Sequence, residues 1–250
     1  MQPEVHIGPL ELKTFGICFA LGFLASGLLI NRRFAELGRP ADWSYEMVFA
    51  ALVGGLVGSR VDYLIQNWDN VSEDVLGNVF SGAGLVWFGG FVGGALGVII
   101  WARWRRWLGW ELFDTAAVPL AVGYAIGRVG CQLSGDGDYG THSDLPWAMA
   151  YPDGTVPTTD EVHPTPVYET LAMGIAGLVL WRMRDRVAPG VVFGLYLVIA
   201  GIERFLIEFI RRNDDVAVGL TEAQLIALAM LVLGAGILAT RRAAWRPATA

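Results

Sequence analysis

The chain has 250 residues, 54% of them hydrophobic and only 17% charged, with a formal net charge of −6. So apolar a composition excludes an ordinary soluble domain and implies a polytopic membrane protein. The acidic balance, with positive charges in short clusters between apolar runs, argues against nucleic acid as a partner.

The first apolar run follows Glu4 and precedes Asn31-Arg32-Arg33. That is the reverse of a signal peptide's charge order, so the segment is expected to stay in the protein. A spanning helix needs about 20 apolar residues. Seven stretches approach that length, near 10–30, 46–66, 84–102, 112–131, 166–182, 190–210 and 222–240. The expected fold is all-α: one integral-membrane domain over 1–250 with about seven transmembrane helices. Arg32, Arg33 and Arg39 follow the first run, Arg103, Arg105 and Arg106 the third, Arg182, Arg184 and Arg186 the fifth, and Arg241, Arg242 and Arg246 the last. The positive-inside rule places these clusters in the cytoplasm, the amino terminus and the loop 132–165 outside, and the carboxyl terminus inside. Arg211 and Arg212, beside Asp214 and Asp215, break the pattern.

With that topology, Arg60 and Asp62 on helix two, Arg128 on helix four, Glu169 on helix five, and Arg204, Glu208 and Arg211 on helix six all fall in the outer half of the membrane. Scattered structural pairs have no reason to choose one side, so a shared functional site is expected, although polar membrane residues also serve as plain interhelical pairs. Gly54 and Gly58 on helix two, and Gly89, Gly93 and Gly97 on helix three, recur at four-residue spacing. Small residues at that period let membrane helices approach closely. Trp43, Trp68, Trp101 and Trp181, near expected helix ends, are read as interface anchors.

The stretch Tyr124 to Gly140 leaves an apolar helix, carries Arg128, and breaks into a Gly- and Asp-rich turn. An arginine near a helix end among glycines is expected to face protein, water or an anion. Cys18 and Cys131 show no metal-ligand spacing and no disulfide framework, and are read as small buried side chains. The loop 133–162 is long for a plain connection, and Pro146-Trp147-Ala148-Met149 suits an ordered segment on the outer interface. His163 then lies six residues before Glu169. On helix six, Arg204, Glu208 and Arg211 share a face at i, i+4 and i+7. Either they form an internal ladder, or Glu208 orients Arg204 so that its guanidinium forks onto phosphate oxygens.

In this order, Phe-Gly-Gly at 88–90, Gly127-Arg128-Val129-Gly130 with its downstream Gly-Asp and Tyr-Gly, His163-Pro164 through Tyr168-Glu169, and Gly201 to Arg211 resemble the prolipoprotein diacylglyceryl transferase family over nearly the full length. The resemblance implies transfer of the diacylglyceryl group of phosphatidylglycerol to the lipobox cysteine of a preprolipoprotein, at the outer face of the bacterial cytoplasmic (inner) membrane. Membrane lipids and the lipobox peptide are then the partners, with no metal and no cofactor. It implies Arg128 and Arg204 as the essential arginines, with His163, Glu169 and Asp136 completing the catalytic set. Glu208, Ser134, Cys131, Phe88, Gly89, Gly90, Tyr168 and Arg60 form the substrate-binding set.

The sequence departs from the family at several points. Phe88 stands where the family has a histidine, Phe15 where it has an aromatic hydroxyl, Cys131 and Ser134 where it has two asparagines, and Asp136 where it has a glutamate. The alternative is a relative that binds or transports an anionic phospholipid without modifying a lipoprotein. A retinal photoreceptor is disfavoured because helix seven holds no lysine. With the histidine gone, His163 or Asp136 is expected to take the thiol proton, and Glu169 to orient His163 or the substrate.

Overall fold

The structure, a computed structural model, describes residues 1–8, 10–68, 86–217 and 219–241. Its elements in chain order are β1 (Glu4–Ile7), β2 (Leu10–Lys13), α1 (Thr14–Glu36), α2 (Asp42–Gln66), α3 (Trp87–Trp104), α4 (Trp110–Ser134), β3 (Met149–Tyr151), β4 (Thr158–Val162), α5 (Thr165–Met183), α6 (Val191–Ile207) and α7 (Glu222–Arg241). A single 3₁₀ turn, Glu208–Ile210, continues α6. Among the described residues four helices, α1, α2, α4 and α7, are long and apolar enough to cross a membrane. The protein is thus a predominantly helical membrane protein.

The first helix starts at Thr14, later than the position near 10 expected from hydropathy. Leu10-Glu11-Leu12-Lys13 alternates apolar and polar residues with the period of a strand. It pairs antiparallel with Glu4–Ile7 in the register Glu4↔Lys13 to Ile7↔Leu10. The turn uses Gly8 at φ 62°, a left-handed conformation that glycine adopts without steric cost.

The chain divides into two compact units, residues 1–29 with 113–250, and residues 30–112. In the second unit α2 and α3 meet backbone to backbone. A Cβ added to Gly93 would strike the carbonyl oxygen of Gly54 and, at 2.7 Å, the Cα of Gly58. The four-residue glycine spacing is therefore a packing device, and Ser59 Oγ adds a hydrogen bond to Val86 O at 2.8 Å. Near the other end of these helices, Phe34, fully buried, sits among Trp43, Trp101 and Trp107 with ring centroids 5.1–6.5 Å away. Trp101 is buried and donates to Glu46 at 2.8 Å, so it is a core residue and no interface anchor. Burial suits an indole whose N–H finds a partner.

In the first unit, α4, α5 and α6 pack through small residues. Ala121, Ala125, Ala176 and Ala200 are buried together with Met173. Asp114 of α4 accepts backbone N–H bonds from Gly190 and Phe193 at 2.7 and 2.8 Å, placing a carboxylate at the positive end of α6. The packing stripe then runs into charge. On α4 it continues from Ala121 and Ala125 to Arg128, on α5 it leads back from Ala176 and Met173 to Glu169, and on α6 from Ala200 to Arg204. These are i, i+3 and i+4 steps on one helix face.

Candidate active site

The end of α4 turns sharply. Gly135 and Gly137, at φ 57° and 94°, take left-handed conformations that a side-chain-bearing residue rarely adopts. The turn carries Asp136 and Asp138 back toward the helix bundle of this unit. Backbone hydrogen bonds then lace three segments together: Gly140 N to His163 O at 2.8 Å, His163 N to Thr141 O at 3.0 Å, and Thr141 N to Ile210 O at 2.7 Å. The long loop is more regular than expected. It forms the antiparallel pair β3–β4 over a buried core of Tyr139, Tyr151 and Val162, with Tyr139 and Tyr151 stacked at 4.7 Å. The exposed Arg212 lies over the Tyr139 ring at 4.3 Å.

Glu169 is the hub of the site and is fully buried. Its Oε1 accepts from Tyr124 Oη at 2.7 Å and Arg204 Nη1 at 3.3 Å. Its Oε2 lies 3.2 Å from Arg128 Nε and 3.6 Å from Arg211 Nη1. Arg204 also reaches Glu208 at 2.9 Å, and Glu208 accepts from Asn213 at 2.6 Å. Asp138 receives Arg128 on one carboxylate oxygen and Arg211 on the other. Three guanidiniums from α4, α6 and the turn after α6 are thus braced by three acids. Arg128 also stacks over the Tyr124 ring at 4.9 Å.

The two neighbouring aspartates behave oppositely. Burial is the largest influence on both. It leaves the Asp136 carboxyl above its ordinary value, against an opposing hydrogen bond with Cys131. At Asp138 the attraction of Arg128 and Arg211 outweighs burial and holds the carboxyl below its ordinary value. Cys131 Sγ lies 3.8 Å from Arg128 Nη1. Donor atoms of Cys131, Asp136 and Asp138 lie within 4.8 Å of one another. Both oxygens of Asp138 are already held by guanidiniums, so among the described residues this cluster leaves the side chains of Cys131 and Asp136 for a cation, fewer than the four ligands of a structural zinc site.

Of the residues singled out from sequence, Arg128, Arg204, Glu169 and Glu208 come together in this network, with Cys131 and Asp136 at its edge. Ser134 is buried at the end of α4, its Oγ bonded to Cys131 O at 3.2 Å. His163 Nδ1 lies 3.4 Å from Tyr168 Oη, which accepts from Trp147 Nε1 at 2.7 Å. Glu169 therefore meets Tyr124 and the arginines, and the orienting neighbour of His163 is Tyr168. Phe88, Gly89, Gly90 and Arg60 belong to the other compact unit. There Gly89 N donates to Asp62 at 2.9 Å, Gly90 faces Ser59, Arg60 lies over Tyr63 at 5.1 Å, and Phe88 is exposed. Sequence reasoning missed Asp138 and Tyr124. The position of Tyr124 four residues before Arg128 on one helix face was the available signal.

The sequence model of the family described as prolipoprotein diacylglyceryl transferase matches residues 3–240. The phosphatidylglycerol–prolipoprotein diacylglyceryl transferase of Nitratidesulfovibrio vulgaris is 34% identical over 257 residues, covering 94% of this chain and 92% of its own. The enzymes of the same name from Dehalococcoides mccartyi and Clostridium tetani are 33% and 29% identical, covering 91% and 90% of this chain and 88% and 91% of their own.

Proposed function

The chain belongs to the prolipoprotein diacylglyceryl transferase family, and from that membership we propose that it transfers the diacylglyceryl group of phosphatidylglycerol to the lipobox cysteine thiol of a preprolipoprotein. The product is a thioether, formed at the outer face of the bacterial cytoplasmic membrane with release of glycerol 1-phosphate. The observation that carries the reading is the convergence of Arg128, Arg204 and Arg211 on Glu169 and Asp138.

The reaction needs two things from such a site. A thiol of ordinary pKa about 8.5 is a poor nucleophile until it loses its proton. The sulfur then attacks the glycerol carbon bearing the phosphate, the carbon–oxygen bond breaks, and the electron pair leaves on the phosphate. Guanidiniums held in place before the reaction stabilise that charge without reorganising, and their planar forks match phosphate oxygens. Asp136, raised by burial and beside the arginines, and His163, held at Tyr168, are the proton acceptors. Glu169 and Glu208 orient the arginines, and Ser134, Cys131 and Tyr168 border the substrate. Asp138 joins the orienting set.

The seven helices cross the membrane as one integral domain, amino terminus outside and carboxyl terminus inside, as the placement of the basic clusters supports. Thr141→Cys is expected to label from outside and Arg105→Cys only from inside; the reverse pattern overturns the orientation. For the activity, purified protein is incubated with phosphatidylglycerol and a lipobox peptide. Mass spectrometry is expected to find the peptide heavier by one diacylglyceryl group, with glycerol phosphate released. Lipid binding without any mass gain would overturn the transferase reading.

A further inference from the structure

Trp147 in the outer loop is exposed, yet its indole nitrogen is not left to water: Nε1 donates to Tyr168 Oη at 2.7 Å. A tight turn, in which Ala148 N donates to Leu145 O at 2.9 Å, carries it. Among the described residues the other hydrogen-bond neighbour of that tyrosine oxygen is His163 Nδ1, at 3.4 Å. The backbone of His163 is pinned on both sides, its N donating to Thr141 O at 3.0 Å and its O accepting from Gly140 N at 2.8 Å. Its Cβ lies only 3.0 Å from where a side chain on Gly140 would begin. What the backbone leaves open is the rotation of the imidazole. Tyr168 meets that ring edge-on, with the centroids 6.2 Å apart.

The chemistry of the three groups sets a direction. An indole N–H donates and never accepts, a phenol has one hydrogen to give, and a neutral imidazole has one nitrogen that donates and one that accepts. With Trp147 donating into the tyrosine oxygen, the hydroxyl hydrogen points away from the indole, and His163 Nδ1 is the acceptor it meets. We propose that Trp147 is a positioning residue of the transferase: through Tyr168 it holds neutral His163 with its ring proton on Nε2 and the lone pair of Nδ1 turned to the hydroxyl. Nδ1 is then the atom that takes the thiol proton. The S–H bond breaks, its electron pair stays on sulfur, and the proton forms the Nδ1–H bond of an imidazolium. The Tyr168 hydrogen swings aside, and the same oxygen accepts from the charged ring. The fate of the thiol proton rests on the transferase reading, whereas the tautomer rests on the hydrogen-bond chain alone.

Trp147→Phe keeps an aromatic ring and removes the N–H, and two measurements on it test the proposal. With dioctanoyl phosphatidylglycerol and a lipobox peptide, kcat is expected to fall about tenfold, less than the ~10²–10⁴-fold worth of the base itself. Both KM values should stay within about threefold, a loss of positioning and not of ground-state binding. Wild-type kcat in the variant, or a raised KM with kcat unchanged, overturns the proposal. The second measurement is NMR of ¹⁵N-histidine-labelled protein at about pH 8.5, roughly two units above the ordinary histidine value, where the shifts tell which ring nitrogen carries hydrogen. His163→Gln identifies the His163 signals among those of the three histidines. The wild type is expected to show the proton on Nε2 with Nδ1 bare, and Trp147→Phe a mixture of both tautomers. A protonated Nδ1 in the neutral wild-type ring, or the same single tautomer in the variant, overturns it. Should the variant not fold, the wild-type spectrum decides. The spectrum does not require transfer, so an inactive wild type with the proton on Nε2 would sink the transferase reading and leave the tautomer assignment standing.

Discussion

The α2–α3 pair and the α4–α6 cluster solve the problem of joining helices in an apolar solvent in opposite ways. Between α2 and α3, Gly54, Gly58, Gly89 and Gly93 bring two backbones into contact, and close packing is joined by hydrogen bonds at Ser59, Asp62 and Glu46. Among α4, α5 and α6, alanines do the same until the helix ends, where Arg128, Glu169 and Arg204 take over. Buried ion pairs are poor sources of net stability, because desolvation offsets much of their attraction. The proposed function gives the six charges kept together here a role beyond holding helices together. On the proposed function, chemistry belongs to the charged cluster and packing to the α2–α3 pair.

The largest expected effects lie in the charged region. His163→Ala or Asp136→Asn should lower the turnover number by the ~10²–10⁴-fold worth of a general base. Full activity in both variants would remove the proton acceptors named here. Next, Arg128→Lys and Arg204→Lys keep the charge but lose the planar fork. Each should cost transfer on the order of 10²–10³-fold, the scale of one lost stabilising donor, while the thermal midpoint in detergent stays close to wild type. Equal loss of midpoint and activity would break the comparison, since the arginines would then be structural.

In the packing region the pattern should invert. Gly93→Ala places a Cβ against the backbone of Gly54 and Gly58. Overpacking of this kind costs about 1–3 kcal/mol, or roughly 2–4 °C of midpoint per kcal/mol for a chain of this size. Gly174→Ala, with nothing within 4 Å of the added atom, should stay within about 0.5 kcal/mol.

The smallest effect is a difference of sign between two aspartates. Asp138 is held low by Arg128 and Arg211 against its burial. Its contribution to stability is complete above the ordinary aspartate value of about 4 and is lost as pH falls through its lower folded value. Asp136 is held high by burial, so it opposes folding once pH exceeds that ordinary value. At pH 7 Asp138→Asn should lower the unfolding midpoint and Asp136→Asn should raise it. Shifts of the same sign would contradict the geometry of the turn.

Much of this was legible in the sequence, and the reason is physical. Apolar runs of spanning length mark helices whatever their neighbours, and glycines four residues apart mark a close helix face before any partner is known. Arg204, Glu208 and Arg211 declare a shared face by spacing alone. Asp138 was hidden because Gly-Asp-Gly-Asp offers two acids in a turn, and only the left-handed backbone at Gly135 and Gly137 decides which one meets the arginines. Tyr124 was hidden inside an apolar helix, where a tyrosine reads as packing. Trp101 was misread as an anchor because an indole near a helix end looks the same whether lipid or Phe34 lies beside it. The strand at Leu10–Lys13 was hidden because it runs directly into an apolar helix.

The central claim is that the arginines of α4 and α6 hold the phosphate of the lipid. Solid-state NMR of ¹⁵N-arginine-labelled protein with bound phosphatidylglycerol measures it directly, through the dipolar coupling between guanidinium nitrogen and phosphorus. The account predicts arginine side-chain nitrogens at hydrogen-bonding range of the phosphate, with the coupling lost in the Arg128→Lys, Arg204→Lys double variant. Bound lipid with no arginine–phosphorus coupling in the wild type, or an unchanged coupling in the double variant, would contradict it.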